Sequence, residues 1–198
     1  MNIFISGGCK NGKSLHAQEL ARDMAREQNV PLYYIATMIP ADEEDRQRIR
    51  GHLAARDGWG FTTLEQPLDL LGCLAEPGDG SALGKDMQLA GTELAPGKGD
   101  PRGAFLMDSV TALLSNEMFR SDGTYDPDAG ERVAEDLVKF AKRTGNTVFV
   151  SDFIYSDARI FDEMTENYRR SLAYCDRALA QVCDRVIETS FGTFRDLK

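Results

Sequence analysis

A chain of 198 residues, of which 42% are hydrophobic and 28% charged, is long enough to bury a core and has the composition of an ordinary globular protein. The formal net charge of −9 argues against a broad nucleic-acid surface, because affinity for phosphate backbones comes mainly from clustered lysine and arginine. The cysteines and the two histidines show no metal-ligand spacing, and we interpret Cys175 and Cys183 as core thiols on one helix.

The first third of the chain alternates short apolar runs with longer amphipathic segments. Asn2–Ser6 is an apolar run that ends in glycines, which predicts a buried strand, and the apolar residues from Lys13 to Gln28 recur at helical spacing. Neither the N-terminal run nor any later one could span a bilayer or serve as a signal peptide, so we expect a cytoplasmic protein with no membrane partner. Further predictions are a strand at Leu32–Thr37, a charged helix at Asp42–Arg56, a strand at Phe61–Glu65 and a helical stretch at Leu68–Ala75.

The segment Glu76–Gly103 differs in composition from the rest of the chain. It is rich in glycine and proline and contains no aromatic residue. Because such a segment has few large apolar groups to bury, burial cannot offset the entropy lost on ordering it. We therefore predict one domain over residues 1–198 that carries a surface insertion at about 76–103.

The last part of the chain returns to alternating strands and helices, which indicates an α/β domain with a mainly parallel sheet. The predicted elements are a strand at Ala104–Asp108, a helix at Val110–Phe119, a turn region at Ser121–Asp128, a helix at Ala129–Arg143, a strand at Thr147–Ser151, a helix at Ile160–Cys183 and a strand at Arg185–Thr189.

A phosphate-binding motif lies between the first strand and the first helix. The pattern G-x-x-x-x-G-K-[ST] is met by Gly7, Gly8, Cys9, Lys10, Asn11, Gly12, Lys13 and Ser14. The glycines allow the backbone N–H groups to surround phosphate oxygens, the lysine reaches the β- and γ-phosphates, and the serine offers its hydroxyl to Mg²⁺. The pattern predicts a nucleoside triphosphate site in a three-layer domain of the P-loop NTPase type, similar to RecA.

Asp108 is the candidate second ligand of Mg²⁺, because an acid at the carboxyl end of a strand lies beside the phosphate loop in such folds. The alternative is that Asp108 is an ordinary strand-terminal aspartate that caps the following helix.

Several segments, in their order and spacing, resemble the bifunctional adenosylcobinamide kinase / adenosylcobinamide-phosphate guanylyltransferase family of cobalamin biosynthesis. They are the N-terminal Ile5–Ser14, Tyr34–Thr37, Arg48–His52, Thr63–Pro67, Leu106–Thr111 with Leu114–Asn116, and Asp184–Val186. The resemblance implies a kinase that phosphorylates the aminopropanol hydroxyl of adenosylcobinamide with ATP or GTP. It also implies a second step, in which GMP from GTP is transferred to that phosphate through a guanylylated histidine.

His52 matches the guanylylated position of the family, and a neutral imidazole is a suitable nucleophile for the α-phosphorus. The resemblance further implies nucleotide contacts by Ala36, Thr37, Met38, Leu53, Arg56 and Glu65, and a homotrimer that takes nucleotide and corrinoid substrates. Outside the resemblance, a histidine on a charged helix is an exposed titrating side chain, and Glu65 is an exposed acid.

The chain departs from the family pattern after the strand at Thr147–Ser151. The family continues with Asn-Glu-Val-Gly, whereas this chain has Asp152-Phe153-Ile154-Tyr155. Because an aromatic residue replaces a glycine in a loop predicted to border the site, two alternatives stay open. One is a relative that retains a single activity, and the other is a nucleotide-binding regulator without chemistry.

Overall fold

The six predicted strands and one further strand form a seven-stranded sheet in the computed structural model, which describes residues 1–40, 42–74, 97–156 and 158–198. The order across the sheet is β3-β2-β4-β5-β1-β6-β7, and each neighbouring pair is parallel except β6 with β7. The strands are β1 (Ile3–Gly7), β2 (Leu32–Ala36), β3 (Phe61–Glu65), β4 (Ala104–Asp108), β5 (Thr147–Asp152), β6 (Arg185–Ser190) and β7 (Thr193–Asp196).

Five α-helices and one short 3₁₀ helix at Leu70–Cys73 connect the strands in the described ranges. The α-helices are α1 (Lys13–Gln28), α2 (Glu43–Ala55), α3 (Val110–Met118), α4 (Ala129–Thr144) and α5 (Glu163–Val182). The side chains of six residues of α2 lie outside the description: Glu44, Asp45, Arg48, His52, Leu53 and Ala55. Within the described ranges, none of these helices combines the length and apolar character needed to cross a membrane.

The alternation of side chains along the strands divides the core into two layers, one on each face of the sheet. On one face, Ile3 and Ile5 of β1 pack with Ala17 and Ala21 of α1. On the other face, Phe4 belongs to the larger cluster, to which α3, α4 and α5 contribute. The predicted fold class is therefore confirmed: a three-layer, RecA-like α/β domain of the P-loop NTPase type with a mainly parallel sheet. Cys175 and Cys183 are buried, as predicted, and burial raises the pKa of each thiol to about 12.

Three element predictions need correction. The last helix begins at Glu163 and not at Ile160, because the Asp162 carboxylate caps it by accepting a hydrogen bond from the Thr165 N–H. The helical stretch predicted from Leu68 shrinks to the 3₁₀ turn, and the left-handed Asp69 precedes it. Strand β7 was not predicted, because its four residues are all exposed and show no apolar alternation.

Part of the predicted insertion, residues 97–103, is described by the structure, whereas residues 75–96 lie outside the described part of the chain. Within it, Gly99 and Gly103 are buried. The Gly99 N–H donates to the Cys73 carbonyl at 2.7 Å. A Cβ atom on Gly99 would lie 2.9 Å from the Phe105 ring, and one on Gly103 would lie 2.6 Å from the Tyr33 ring. Glycines that the composition indicated as surface residues are therefore required by close packing.

Candidate nucleotide-binding site

The phosphate loop occupies the connection from β1 to α1, as the motif predicts. Lys10 and Gly12 both adopt left-handed backbone conformations, with φ of 55° and 87°, and Gly12 is the N-cap of α1. This curvature and the start of the helix direct backbone N–H groups towards one point, which is the arrangement that binds phosphate oxygens.

The Asn11 side chain holds the loop against β6. It donates to the Thr189 carbonyl of β6 at 2.8 Å, and it accepts from the Lys13 N–H at the start of α1 at 3.3 Å. A Cβ atom on Gly7 would lie 2.4 Å from that same Thr189 carbonyl oxygen. Gly7 therefore allows the close approach of two backbones, while Gly12 provides the left-handed conformation.

Lys13 is 7% exposed and folds back towards the loop. Its Nζ lies 2.6 Å from Asp152 Oδ1 and donates to the Gly8 carbonyl at 3.1 Å. Asp152 ends β5 and is in register with Gly7 of β1, which explains how the acid reaches the phosphate loop. Asp152 was not among the predicted site residues, although it is an acid at the carboxyl end of a strand, as Asp108 is.

A second group of side chains is centred on Tyr34. The Arg56 guanidinium stacks 3.5 Å from the centre of the Tyr34 ring, and the Tyr34 hydroxyl donates to Asp108 Oδ2 at 3.4 Å. Burial raises the pKa of Tyr34, and the Asp108 charge adds to the rise, so the phenol stays protonated as a donor. Arg56 is 6% exposed, and its Nη1 atom has no hydrogen-bond partner among the described residues.

These groups line a cleft of about 1270 Å³, which we call the inner cleft. Helix α2 contributes Arg46, Ile49 and Arg50 to its wall. Among the described residues, five cationic side chains and three carboxylates line the cleft, in a protein whose net charge is −9. The local excess of positive charge suits a polyanionic ligand such as a polyphosphate. The charged residues are Lys10, Lys13, Arg46, Arg50, Arg56, Glu65, Asp108 and Asp152.

The inner cleft brings together most of the residues singled out in the sequence. Its lining includes Cys9, Lys10, Asn11, Gly12, Lys13, Ser14, Ala36, Met38, Arg56, Glu65 and Asp108. Gly7, Gly8 and Thr37 do not line it. The Thr37 hydroxyl is fully buried and bonded to the backbone of Ser109, donating at 2.9 Å and accepting at 2.8 Å, so its side chain joins the ends of β2 and β4.

The backbones of His52 and Leu53 belong to α2, and their side chains lie outside the described part of the structure. His52 follows Ile49 by three positions, and residues at that spacing are neighbours on a helix surface. The position of His52 is therefore one turn away from a residue that lines the inner cleft.

The residues predicted to bind Mg²⁺ have suitable chemistry. Ser14 and Asp108 both line the inner cleft and offer a hydroxyl and a carboxylate oxygen, the hard donors that Mg²⁺ prefers. Among the described residues, no group of three or more His, Cys, Asp or Glu side chains forms a metal cage.

The aromatic replacements in the loop after β5 turn away from the inner cleft. The Phe153 and Tyr155 rings pack edge-on at 4.6 Å, and neither residue lines the cleft. The Tyr155 hydroxyl donates to Oδ2 of Asp176, a carboxyl that is 3% exposed beneath β1 and β5. Burial raises the pKa of Asp176 to about 7; the Ser151 and Tyr155 hydroxyls oppose the rise, and the Asp152 carboxylate adds to it.

A curled phosphate loop between a parallel strand and a helix, with a cationic cleft in front of it, defines a P-loop nucleotide-binding protein. The model of one family, the cobinamide kinase / cobinamide phosphate guanyltransferase family, matches residues 3–85 and 87–197. The chain belongs to this family.

Three curated relatives are named bifunctional adenosylcobalamin biosynthesis proteins. The bifunctional adenosylcobalamin biosynthesis protein CobP of Pseudomonas aeruginosa is 27% identical over 100% of this chain and 98% of its own length. The protein CobU of Escherichia coli is 29% identical over 65% of this chain and 56% of its own length. CobU of Salmonella typhimurium is 28% identical over 70% of this chain and 65% of its own length.

Solved structures with a similar chain course include a KaiC-like protein from Pyrococcus horikoshii and the flagellar accessory protein FlaH from Methanocaldococcus jannaschii. The first is 11% identical, with a TM-score of 0.43 over 94% of this chain and 69% of that one. The second is 14% identical, with a TM-score of 0.44 over 100% of this chain and 77% of that one.

Proposed function

We propose that this protein catalyses two steps of adenosylcobalamin biosynthesis. In the first, it phosphorylates the aminopropanol hydroxyl of adenosylcobinamide with ATP or GTP. In the second, it transfers GMP from GTP to the resulting phosphate through a guanylylated His52. The observation that supports this proposal most is the buried Arg56, whose Nη1 is unpaired among the described residues, in a cationic cleft beside Lys13.

In the kinase step, the acceptor hydroxyl attacks the γ-phosphorus, the bond to the β–γ bridging oxygen breaks, and the nucleoside diphosphate leaves. Lys13, once it turns from Asp152 to the phosphates, balances their charge. That movement frees the Asp152 carboxylate, which lines the cleft and can take the hydroxyl proton. Ser14 and Asp108 would hold Mg²⁺, which supplies charge neutralisation at the phosphates when bound.

In the transfer step, a ring nitrogen of neutral His52 attacks the α-phosphorus of GTP, and pyrophosphate leaves. An oxygen of adenosylcobinamide phosphate then attacks the same phosphorus and breaks the N–P bond, which gives adenosylcobinamide-GDP and restores the imidazole. Arg46 and Arg50, which α2 presents to the cleft, can stabilise charge on the phosphates during both displacements.

Labelling with GTP that carries ³²P at the α-phosphate tests the transfer step. We expect an acid-labile, alkali-stable adduct on the intact protein and none on His52→Ala. Gln47→Ala is the matched control, because Gln47 lies on the same helix, is exposed and does not line the cleft. Absence of label from the intact protein, or labelling of His52→Ala, would contradict the histidine intermediate.

Transfer of the γ-phosphate to adenosylcobinamide tests the kinase step separately. Lys13→Ala should abolish this transfer, because the lysine that the motif places at the β- and γ-phosphates is then lost. Phosphorylation without GMP transfer, or the reverse, would support the alternative that the protein is a relative of the family with a single activity. Nucleotide binding without either reaction would support the alternative that the protein is a nucleotide-binding regulator without chemistry.

A further inference from the structure

The phosphate loop also borders a second pocket, next to β6 and β7. This pocket, which we call the outer pocket, has a volume of about 730 Å³, within the range of small-ligand sites. Its walls are the loop, the first turns of α1 and the β6–β7 hairpin. Cys9, Lys10, Asn11 and Gly12 line both cavities, so a triphosphate gripped by the loop can extend its nucleoside to either side.

Aromatic side chains form the walls of the outer pocket. The His16 ring stacks on the Phe194 ring with their centres 4.0 Å apart and an angle of 29° between their planes. Phe191, at the tip of the hairpin, is fully exposed and has a φ of 52°. A left-handed backbone is unfavourable for a bulky residue, and a fully exposed ring gains no burial in compensation. Both costs are offset if the ring covers a ligand.

The pocket also offers a polar group suited to a base. The Glu19 carboxylate lies on α1 one turn after His16, 3.8 Å from its Nδ1, and lines the pocket. Flat aromatic faces stack on heterocyclic bases whatever their identity, and a carboxylate accepts hydrogen bonds from ring N–H and exocyclic amino groups. By contrast, the inner cleft is lined by five cationic side chains and suits phosphates and the acceptor.

We propose that the outer pocket binds the purine base of the nucleoside triphosphate that donates its γ-phosphate. This assignment rests on the proposed function, because it places the donor nucleoside outside the inner cleft. The inner cleft then stays open to the acceptor in the first step and to GTP in the second. One phosphate loop thus serves two nucleotide orientations.

Calorimetric titration with ATP and with inorganic tripolyphosphate separates base from phosphate binding. Phe191→Ala should weaken ATP binding by about tenfold, since base–aromatic stacking has that magnitude in alanine substitutions. Its affinity for tripolyphosphate should stay within about twofold of the intact protein, since that probe carries no base. Ile160→Ala is the matched control, because Ile160 is 90% exposed and lines neither cavity. Unchanged ATP affinity in Phe191→Ala, or equal loss for both probes, would overturn the assignment.

Photo-crosslinking with 8-azido-ATP locates the base directly. We expect the modified peptide, identified by mass spectrometry, to contain residues 190–194 or His16. Modification of Tyr34 or Glu65 instead would place the base in the inner cleft and refute the proposal. The crosslinking result does not depend on catalysis, so it tests the outer pocket separately from the proposed function. If the proposed function were wrong, the protein would still bind ATP but would catalyse neither phosphoryl nor guanylyl transfer.

Discussion

Asp176 makes the stability of the protein depend on pH in a direction opposite to that of an ion-paired carboxylate. Its pKa rises from an ordinary 3.8 to about 7, chiefly because the carboxyl is buried. Between about pH 4 and pH 7 the native state keeps a proton that the unfolded chain has lost. The free energy of unfolding should therefore fall as the pH rises through this window and show no further contribution from this group above it.

The magnitude follows from the size of the pKa difference. Each pKa unit corresponds to about 1.4 kcal/mol, so burial of Asp176 accounts for a loss of at most about 4 kcal/mol between pH 4 and pH 7.

Urea denaturation at several pH values, with Asp176→Asn compared with the intact protein, measures this contribution. The amide resembles the protonated carboxyl and does not titrate, so the variant should lose most of the decline between pH 4 and pH 7. All other groups are shared, so the difference between the two curves isolates Asp176. Asp57→Asn, at an exposed position, is the control and should follow the intact protein. Parallel curves for Asp176→Asn and the intact protein would refute the reasoning.

Two further substitutions test the site geometry. Gly7→Ala should lower the free energy of unfolding by about 1–3 kcal/mol in urea denaturation, because the new methyl group overlaps the Thr189 carbonyl. The control is Gly8→Ala, which should leave this free energy unchanged because its methyl group meets no atom within 4 Å. Equal stability of the two variants would contradict the close approach of Gly7 to Thr189. Arg56→Lys should weaken GTP binding about tenfold in calorimetric titration, because an ammonium group is not planar, so it cannot stack on the Tyr34 ring, and it does not offer paired hydrogen-bond donors. Unchanged affinity would show that the guanidinium does not contact the nucleotide.

Much of the site could be predicted from the sequence, because the patterns that indicate it involve residues close together in the chain. The phosphate loop could be predicted because its motif is local, and the strand before it and the helix after it follow from apolar spacing alone. Asp108 could be predicted because acids at the carboxyl ends of parallel strands gather at one edge of the sheet. The same rule covers Asp152, but only the pairing of β1 with β5 brings it to Lys13.

Other features depend on contacts between residues far apart in the chain. The outer pocket requires β7, whose four exposed residues carry no periodic signal, to pair with β6 and bring Phe194 onto His16. The packing of Gly99 and Gly103 could not be predicted from the sequence either. Composition indicates a flexible surface at these positions, whereas the Phe105 and Tyr33 rings lie too close for a side chain at either of them.

Residue patterns along the chain were enough to predict a triphosphate-binding loop after the first strand of a parallel α/β sheet and to indicate which family the chain is similar to. These conclusions rest on residues that interact with close neighbours in the chain, so a single sequence contains the information. Which side chains face the loop could be learned from the folded chain alone. That depends on strand order and register, which bring Asp152, Arg56 and Phe194 around one loop from distant segments of the chain.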